Sequence, residues 1–376
     1  AERLAPLSST EAEEAARRQI GATAQVDAPA DYDQWIVHNE FDPYRPFFRI
    51  RAQDEAGTHY YMSARTGELL QRTDTADRGW NWVGAVLHWA YFTPLRSSFT
   101  AWDQTVWWLS LVAMLVAIAG IVLGVIRTLT ALRQRKPSLT FFRLKWMRWH
   151  HLTGLFASLF VLSWIVSGWL SMDHGRLFSR GAASTAQLER YAGRPFTAGL
   201  AMIDPAAIKG TAGAREITFT IVGGSPVITA WNAHGPARRY AGSGGVLNDD
   251  TFAHLAMQGV AAAWPGPPPS TPAIVADTDF YAHAEGWPTG ALRVVDPTGH
   301  RPDIAIDGTD GHLLTVMNGS RKAYAWVYYG LHSFNVPGLV EHQLLRDIAV
   351  LIPLLLGFIF SITGVVLGYQ RLRKSF

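Results

Sequence analysis

Two of the thirteen histidines in the 376-residue chain sit in the same phrase. Trp82–His88 reads WVGAVLH and Trp326–His332 reads WVYYGLH, and each precedes a long apolar segment. Ionisable side chains at the edge of a membrane are costly to keep there and default to a functional reading. His88 and His332 supply the chemistry of an axial pair. An imidazole on each side of a haem iron fills its coordination sphere and suits it to electron transfer rather than oxygen binding. A Zn or Cu ion is the other occupant such a pair can take. Two histidines without a carboxylate or thiolate nearby make a poor site for that ion and a complete one for haem. The chain has no cysteine, which excludes disulfides, thiolate metal sites, Fe–S clusters and thioether-attached haem.

A second candidate lies in RWHHLTG, Arg148 to Gly154. Adjacent residues on a helix point about 100° apart, so one of His150 and His151 is the expected ligand and the other interfacial. His150, four residues before Gly154, is the favoured one, with its opposing ligand outside the visible spans. His174 also sits at a span end and joins the candidates. Arg96 and Arg346 are placed to pair haem propionates near the outer histidines, and Arg143, Lys145 and Arg148 near the inner ones. For those inner three, membrane topology is already a sufficient reason. His38, His59, His234, His254, His283, His300 and His312 lie in polar stretches and read as ordinary solvated residues. Gly154, Ala157 and Ser158, Gly120 and Gly124, and Gly364 and Gly368 read equally as close helix packing and as room for a flat porphyrin.

These residues need membrane elements to hold them. Val106–Ile126, Leu152–Met172 and Ile348–Leu367 contain no Asp, Glu, Lys or Arg, and about 20 such residues cross a bilayer. Arg127, Arg133, Arg135, Lys136, Arg143, Lys145 and Arg148 fill the stretch between the first two, without an acid. The tail carries Arg371, Arg373 and Lys374. The positive-inside rule then makes that loop and the tail cytoplasmic. The expected order is an outer segment 1–100, a span 101–128, a basic loop 129–148 and a span 149–173. An outer segment 174–344, a span 345–371 and a short tail 372–376 complete it. That topology puts Ala1 outside, so a fourth membrane helix upstream is expected.

The repetition extends beyond the histidines. Residues 67–127 and 311–371, offset by 244 without a gap, share 17 identities in 61 positions. Ordinary composition gives roughly one in fifteen, so this is an internal repeat. The second copy carries an insertion of about 70 residues by the same comparison. Thr10 and Glu13 suggest a capping box opening a helix to Ile20. Strand-like runs are Trp35–His38, Pro46–Arg51, His59–Met62, Glu216–Val222, Pro226–Trp231, Ala291–Val295 and Asp303–Ile306. Helices are expected at Pro205–Lys209 and Phe252–Ala263, a hinge-like Gly-Ser-Gly-Gly at 242–245, and a loop from Pro265 to Pro272.

No nucleophile–base set, phosphate-binding loop or dinucleotide fingerprint is present, so electrons would come from a separate donor, and no nucleic-acid partner is expected. The order of α+β segment, LH motif, span, basic loop, RWHHLTG, a span ending SGW, a second outer segment, LH motif and TGVVLGYQRLR resembles the PepSY-associated transmembrane family, and within it the inner-membrane ferric-siderophore reductases. The resemblance covers essentially the whole chain. His150 with Gly154, and Thr363 to Arg373, are its most specific parts. It implies a four-helix α-helical transmembrane bundle, two PepSY-like α+β periplasmic segments, two b-type haems, and reduction of an Fe(III)-siderophore of hydroxamate type in the periplasm, with Fe(II) released. Departures are the absent first span and the lack of a fused flavin domain, which leave the inner haem half-assigned and the donor unidentified. Two other readings remain: a haem protein reducing another periplasmic partner or a quinone, and a non-redox PepSY-type binding or sensing protein.

Overall fold

The computed structural model describes residues 6–135, 138–174, 177–232, 237–296 and 298–375. Lys136 of the basic loop and His234 lie outside the described residues. The chain divides into two units, residues 1–112 and 113–376.

The first unit opens with α1 (Ser9–Gln19), capped by Ser8 with Glu11 reaching back. That capping box lies two residues before the expected Thr10–Glu13 pair, because Ser8 takes the extended backbone that a cap needs. The strands β1 (Gln25–Val26), β2 (Phe47–Arg51), β3 (His59–Ser63) and β4 (Leu69–Thr73) form an antiparallel sheet in that order. Alternation along β2 splits the core. Phe48 and Ile50 pack with Met62 against Ala12 and Ala16 of α1, while Phe47 and Tyr61 pack with Ile36 on the other face. Each large side chain so buried contributes about 1.5–3 kcal/mol. Trp35–His38 is not a strand. Arg45 instead gathers the carbonyls of Asp31, Ile36 and His38, which holds this segment as a compact turn. The polar stretch after β4 forms α2 (Thr75–Asn81), capped by Asp74. It runs on as the π-helix π1 (Trp82–Val86), then α3 (Thr93–Arg96) and α4 (Phe99–Arg133).

In the second unit α5 (Lys145–Ser171) leads to α6 (Thr185–Ala192), α7 (Phe196–Leu200) and α8 (Pro205–Lys209). A three-stranded sheet of β5 (Glu216–Val222), β6 (Ser225–Trp231) and β7 (Arg238–Ala241) follows, then α9 (Asp249–Ala263), β8 (Ala273–Ile274) and α10 (Phe280–Glu285). β8, β9 (Leu292–Val294), β10 (Asp303–Ile306) and β11 (Leu313–Met317) make a second four-stranded antiparallel sheet. Phe252, Ala256 and Val260 of α9 share one core with Val222 and Val227 and with Val294, Ile304 and Val316. Residues 242–245 form a tight turn rather than a hinge, closed by Gly244 N–H donating to the Ala241 carbonyl. The chain then runs through α11 (Gly319–Ala325), π2 (Trp326–His332) and α12 (Gln343–Arg373).

Elements recur at the sequence offset of 244. β4 and β11, α2 and α11, and π1 and π2 start 244 residues apart (69 and 313, 75 and 319, 82 and 326). The register shift between Tyr61 and Met62 has its counterpart between Ala305 and Ile306. Ala90 and Phe334 both take positive φ, at 51° and 56°.

Among the described residues three helices are long and apolar enough to cross a membrane: α4, α5 and α12. They run past the apolar windows into the basic stretch, so Leu129–Arg133 and Lys145–Arg148 are helical rather than loop.

Candidate functional site

Both LH motifs emerge from π-helix. This is rare in soluble proteins and concentrated at functional positions, because the extra residue per turn redirects the side chains that follow. The wider turn is visible where Tyr91 N–H donates to the Val86 carbonyl and Ser333 N–H to that of Tyr328, five residues back in each case.

His332 ends π2 and lies against α5. Its Nδ1 is 3.0 Å from Ser167 Oγ, and its ring stacks on Tyr328 at 5.6 Å between centroids. Gly168 makes room: a Cβ there would stand 3.2 Å from His332 Cε1. Ser167 Oγ donates to the Ser163 carbonyl at 2.7 Å. A hydroxyl has one proton, so Ser167 must accept from Nδ1–H. The neutral ring then keeps its lone pair on Nε2.

His150 repeats this arrangement on α12. Its Nδ1 is 3.0 Å from Thr363 Oγ1, and that hydroxyl donates to the Phe360 carbonyl at 2.7 Å. Again the hydroxyl accepts from Nδ1–H and the lone pair falls on Nε2. A Cβ on Gly364 would come within 3.4 Å of His150 Cε1. The Phe360 ring stacks on the imidazole at 4.4 Å and 15°, and Gly154 leaves the space that ring occupies.

His151 is different. It is buried, and its Nε2 is 2.9 Å from the Gly124 carbonyl. A carbonyl can only accept, so Nε2 carries the proton and Nδ1 accepts from Thr140 Oγ1 at 2.9 Å. Both nitrogens are engaged in tying α5 to α4 and to the connecting loop. Two neighbouring histidines therefore hold opposite tautomers.

His88 lies exposed beyond π1, and His174 is exposed beyond the end of α5. Arg96 is 3% exposed, enclosed by the rings of Tyr91, Phe99 and Trp102 at 5.1, 5.4 and 4.6 Å, and it donates to Asn39. Its Nε is buried without a hydrogen-bond partner. Arg346 donates to Asn335 Oδ1 at 2.6 Å and to the Ser333 carbonyl at 3.3 Å, bracing the turn directly after His332. Among the candidates, the structure brings Arg346 to the His332 turn and leaves Arg96 inside an aromatic cluster of its own unit.

Ser167 and Thr363 stand in the SGW and Thr363–Arg373 motifs but carried no expected role there, and Thr140 and Phe360 were not among the expected residues. A hydroxyl beside a glycine in an otherwise apolar span, as in Ser167-Gly168 and Thr363-Gly364, is the signal that would have found two of them. Among the described residues, Asp307, Asp310 and His312 also stand close enough to hold a metal ion. Their contacts are those of a turn: Asp307 Oδ1 accepts from Thr309 N–H, and Asp310 Oδ1 from the backbone and ring of His312. At the matching place in the first copy (307 − 244 = 63), Ser63 Oγ performs the same service for Arg65 and Thr66.

Compared with protein-family models, with curated proteins and with solved structures, the chain has no match.

Proposed function

We propose that this is a multi-pass protein of a bacterial inner membrane that binds two b-type haems and reduces a ferric siderophore at the periplasmic face. The observation that supports it most is the pair of orienting hydroxyls. Ser167 and Thr363 each fix the Nδ1–H tautomer of a histidine, the arrangement by which proteins orient an Nε2 ligand toward a metal. The donor set fits haem: imidazole nitrogens, no thiolate, and glycines that admit flat groups. His332 and His150 are the ligands contributed by residues 113–376, and His88 is the candidate of the first copy.

Bis-imidazole haem would supply one-electron chemistry without an open coordination position. The chain's own residues would set its conditions. Ser167 and Thr363 prevent the rings from flipping to the wrong tautomer. Phe360 and Tyr328 cover an imidazole face and exclude water. Arg346 keeps the π2 exit in place beside α12. One electron converts Fe(III) to Fe(II), which hard hydroxamate oxygens hold less well, and the iron would leave the chelate. Two outer segments that resemble PepSY domains, related by the internal duplication, would form the surface where the chelate docks.

The test is the absorption spectrum of detergent-purified protein, oxidised and dithionite-reduced, with haem quantified per chain. A low-spin b-type spectrum, partly lost in His332→Ala and again in His150→Ala, and reoxidised by a ferric hydroxamate, is the expected result. A colourless protein that cannot be reconstituted with haem overturns the proposal and leaves a non-redox binding protein as the better reading.

A further inference from the structure

A cavity of about 410 Å³ lies in the outer part of the second unit, between the start of α6, the end of α9 and the turn before β10. Arg301, Trp264 and Ala263 line it and are buried, while Arg190, Ser184 and His300 line it and are exposed. Its size suits a small organic molecule.

Arg301 is the unusual member. It is 6% exposed, yet only its Nη2 finds an acceptor, the Pro267 carbonyl. Nε and Nη1 are buried without a partner. A guanidinium presents five N–H groups, and a buried charge is normally paired. The nearby carboxylate of Asp296 acts on Arg301 through space but takes no hydrogen bond from its guanidinium. Asp296 spends Oδ1 on the backbone and hydroxyl of Thr298, and Oδ2 on the backbone N–H of Arg301. Among the described residues no carboxylate lies within ion-pair distance of Arg301, nor of Arg190. Two cations thus line one cavity with no anion of the protein between them, beside the indole of Trp264.

We propose that this cavity binds a small organic carboxylate. Its carboxylate group meets Arg301, Arg190 attracts it at the mouth, and its apolar body lies on Trp264 and Ala263. Guanidinium planes match carboxylates in shape and charge, and the buried position gives the contact more weight than a surface pair has. The site does not include His150 or His332, and its occupancy does not depend on haem.

The probe is 4-fluorobenzoate, followed by ¹⁹F NMR on the full-length protein in detergent. Saturable binding that weakens at least ~10-fold in Arg301→Gln, the loss of one charge-assisted hydrogen bond, is the expected result. Exposed Arg190→Gln, which does not threaten folding, weakens it a few-fold and makes it less sensitive to salt. Absence of saturable binding overturns the proposal, as does equal binding in both variants. Displacement by inorganic phosphate at the same concentration as by benzoate also overturns it, since the site would then read charge alone.

Discussion

Gly154→Ala tests whether His150 is held as the structure indicates. A Cβ at this position would stand 2.7 Å from Phe360 Cε2 and 3.1 Å from Cδ2. Ordinary contact begins near 3.4 Å, so the ring must move by about 0.7 Å (3.4 − 2.7). It cannot move freely, because its face lies on His150 at 4.4 Å between centroids. Overpacking of this kind costs about 1–3 kcal/mol. Alanine returns about 1 kcal/mol of helix propensity, so the net effect is a loss of roughly 0–2 kcal/mol. Gly120→Ala is the control: it lies on α4 with no atom within 4 Å of the added Cβ, and it should gain up to ~1 kcal/mol. Reversible unfolding in mixed micelles should therefore separate the two variants by about 1–3 kcal/mol. Adding Phe360→Leu to Gly154→Ala should recover at least half of the loss. If Gly154→Ala is as stable as Gly120→Ala, the α5–α12 contact around His150 is not as described.

Two further outcomes can be checked in the same preparations. His151→Leu leaves the Gly124 carbonyl and Thr140 hydroxyl without this partner and should cost about 1–3 kcal/mol; under the proposed function it leaves haem binding unchanged, and loss of haem in this variant would instead make His151 a ligand. The stability–pH profile should show two histidine limbs of opposite sign. Burial first, and then Arg78 and Arg49, hold His59 below its ordinary value, so its contribution is full above about pH 6.5 and falls on acidification below it. The hydrogen bond that its ring donates to Asp310 raises His312, so its contribution is full below about pH 6.5 and is lost as pH rises through the raised value. His59→Gln should flatten the acid limb and His312→Asn the other, and a profile unchanged in both refutes the assignment.

Much of the fold was legible because it repeats a period. The alternation in Pro46–Arg51 and Glu216–Val222 marks strands, and unbroken apolar runs mark α4, α5 and α12. Where the sequence misled, a local competitor decided. Trp35–His38 has strand-forming residues, but Arg45 draws their carbonyls into a turn. Residues 72–81 are mostly polar, without a strand or helix period of their own, yet β4 ends within them at Thr73 and Asp74 then caps α2. Histidines and their glycines could be picked out by type and spacing. Their partners could not, since Ser167 and His332 are 165 residues apart and His150 and Thr363 are 213 apart. Only helix pairing brings such residues together, and pairing is set by side-chain fit that no single window contains.

Lipid offers no water to satisfy an imidazole N–H, which explains why His332, His150 and His151 each meet a hydroxyl or a carbonyl at or beside a glycine. The choice between those two acceptors has chemical consequences. A Ser or Thr that has already given its proton to its own helix can only accept, and so can a carbonyl. Which ring nitrogen it touches decides where the lone pair goes. For His332 and His150 the touched atom is Nδ1; for His151 the carbonyl touches Nε2. Adjacent residues of identical type are thereby given different chemistry by different neighbouring helices. The same reasoning separates the two LH motifs. Tyr328 stacks on His332, whereas the matching residue in the first copy (328 − 244 = 84) is Gly84, with open space where a Cβ would stand. Equal register in the sequence therefore does not give His88 and His332 equal surroundings, because the residue four positions before each differs, Gly84 in one case and Tyr328 in the other.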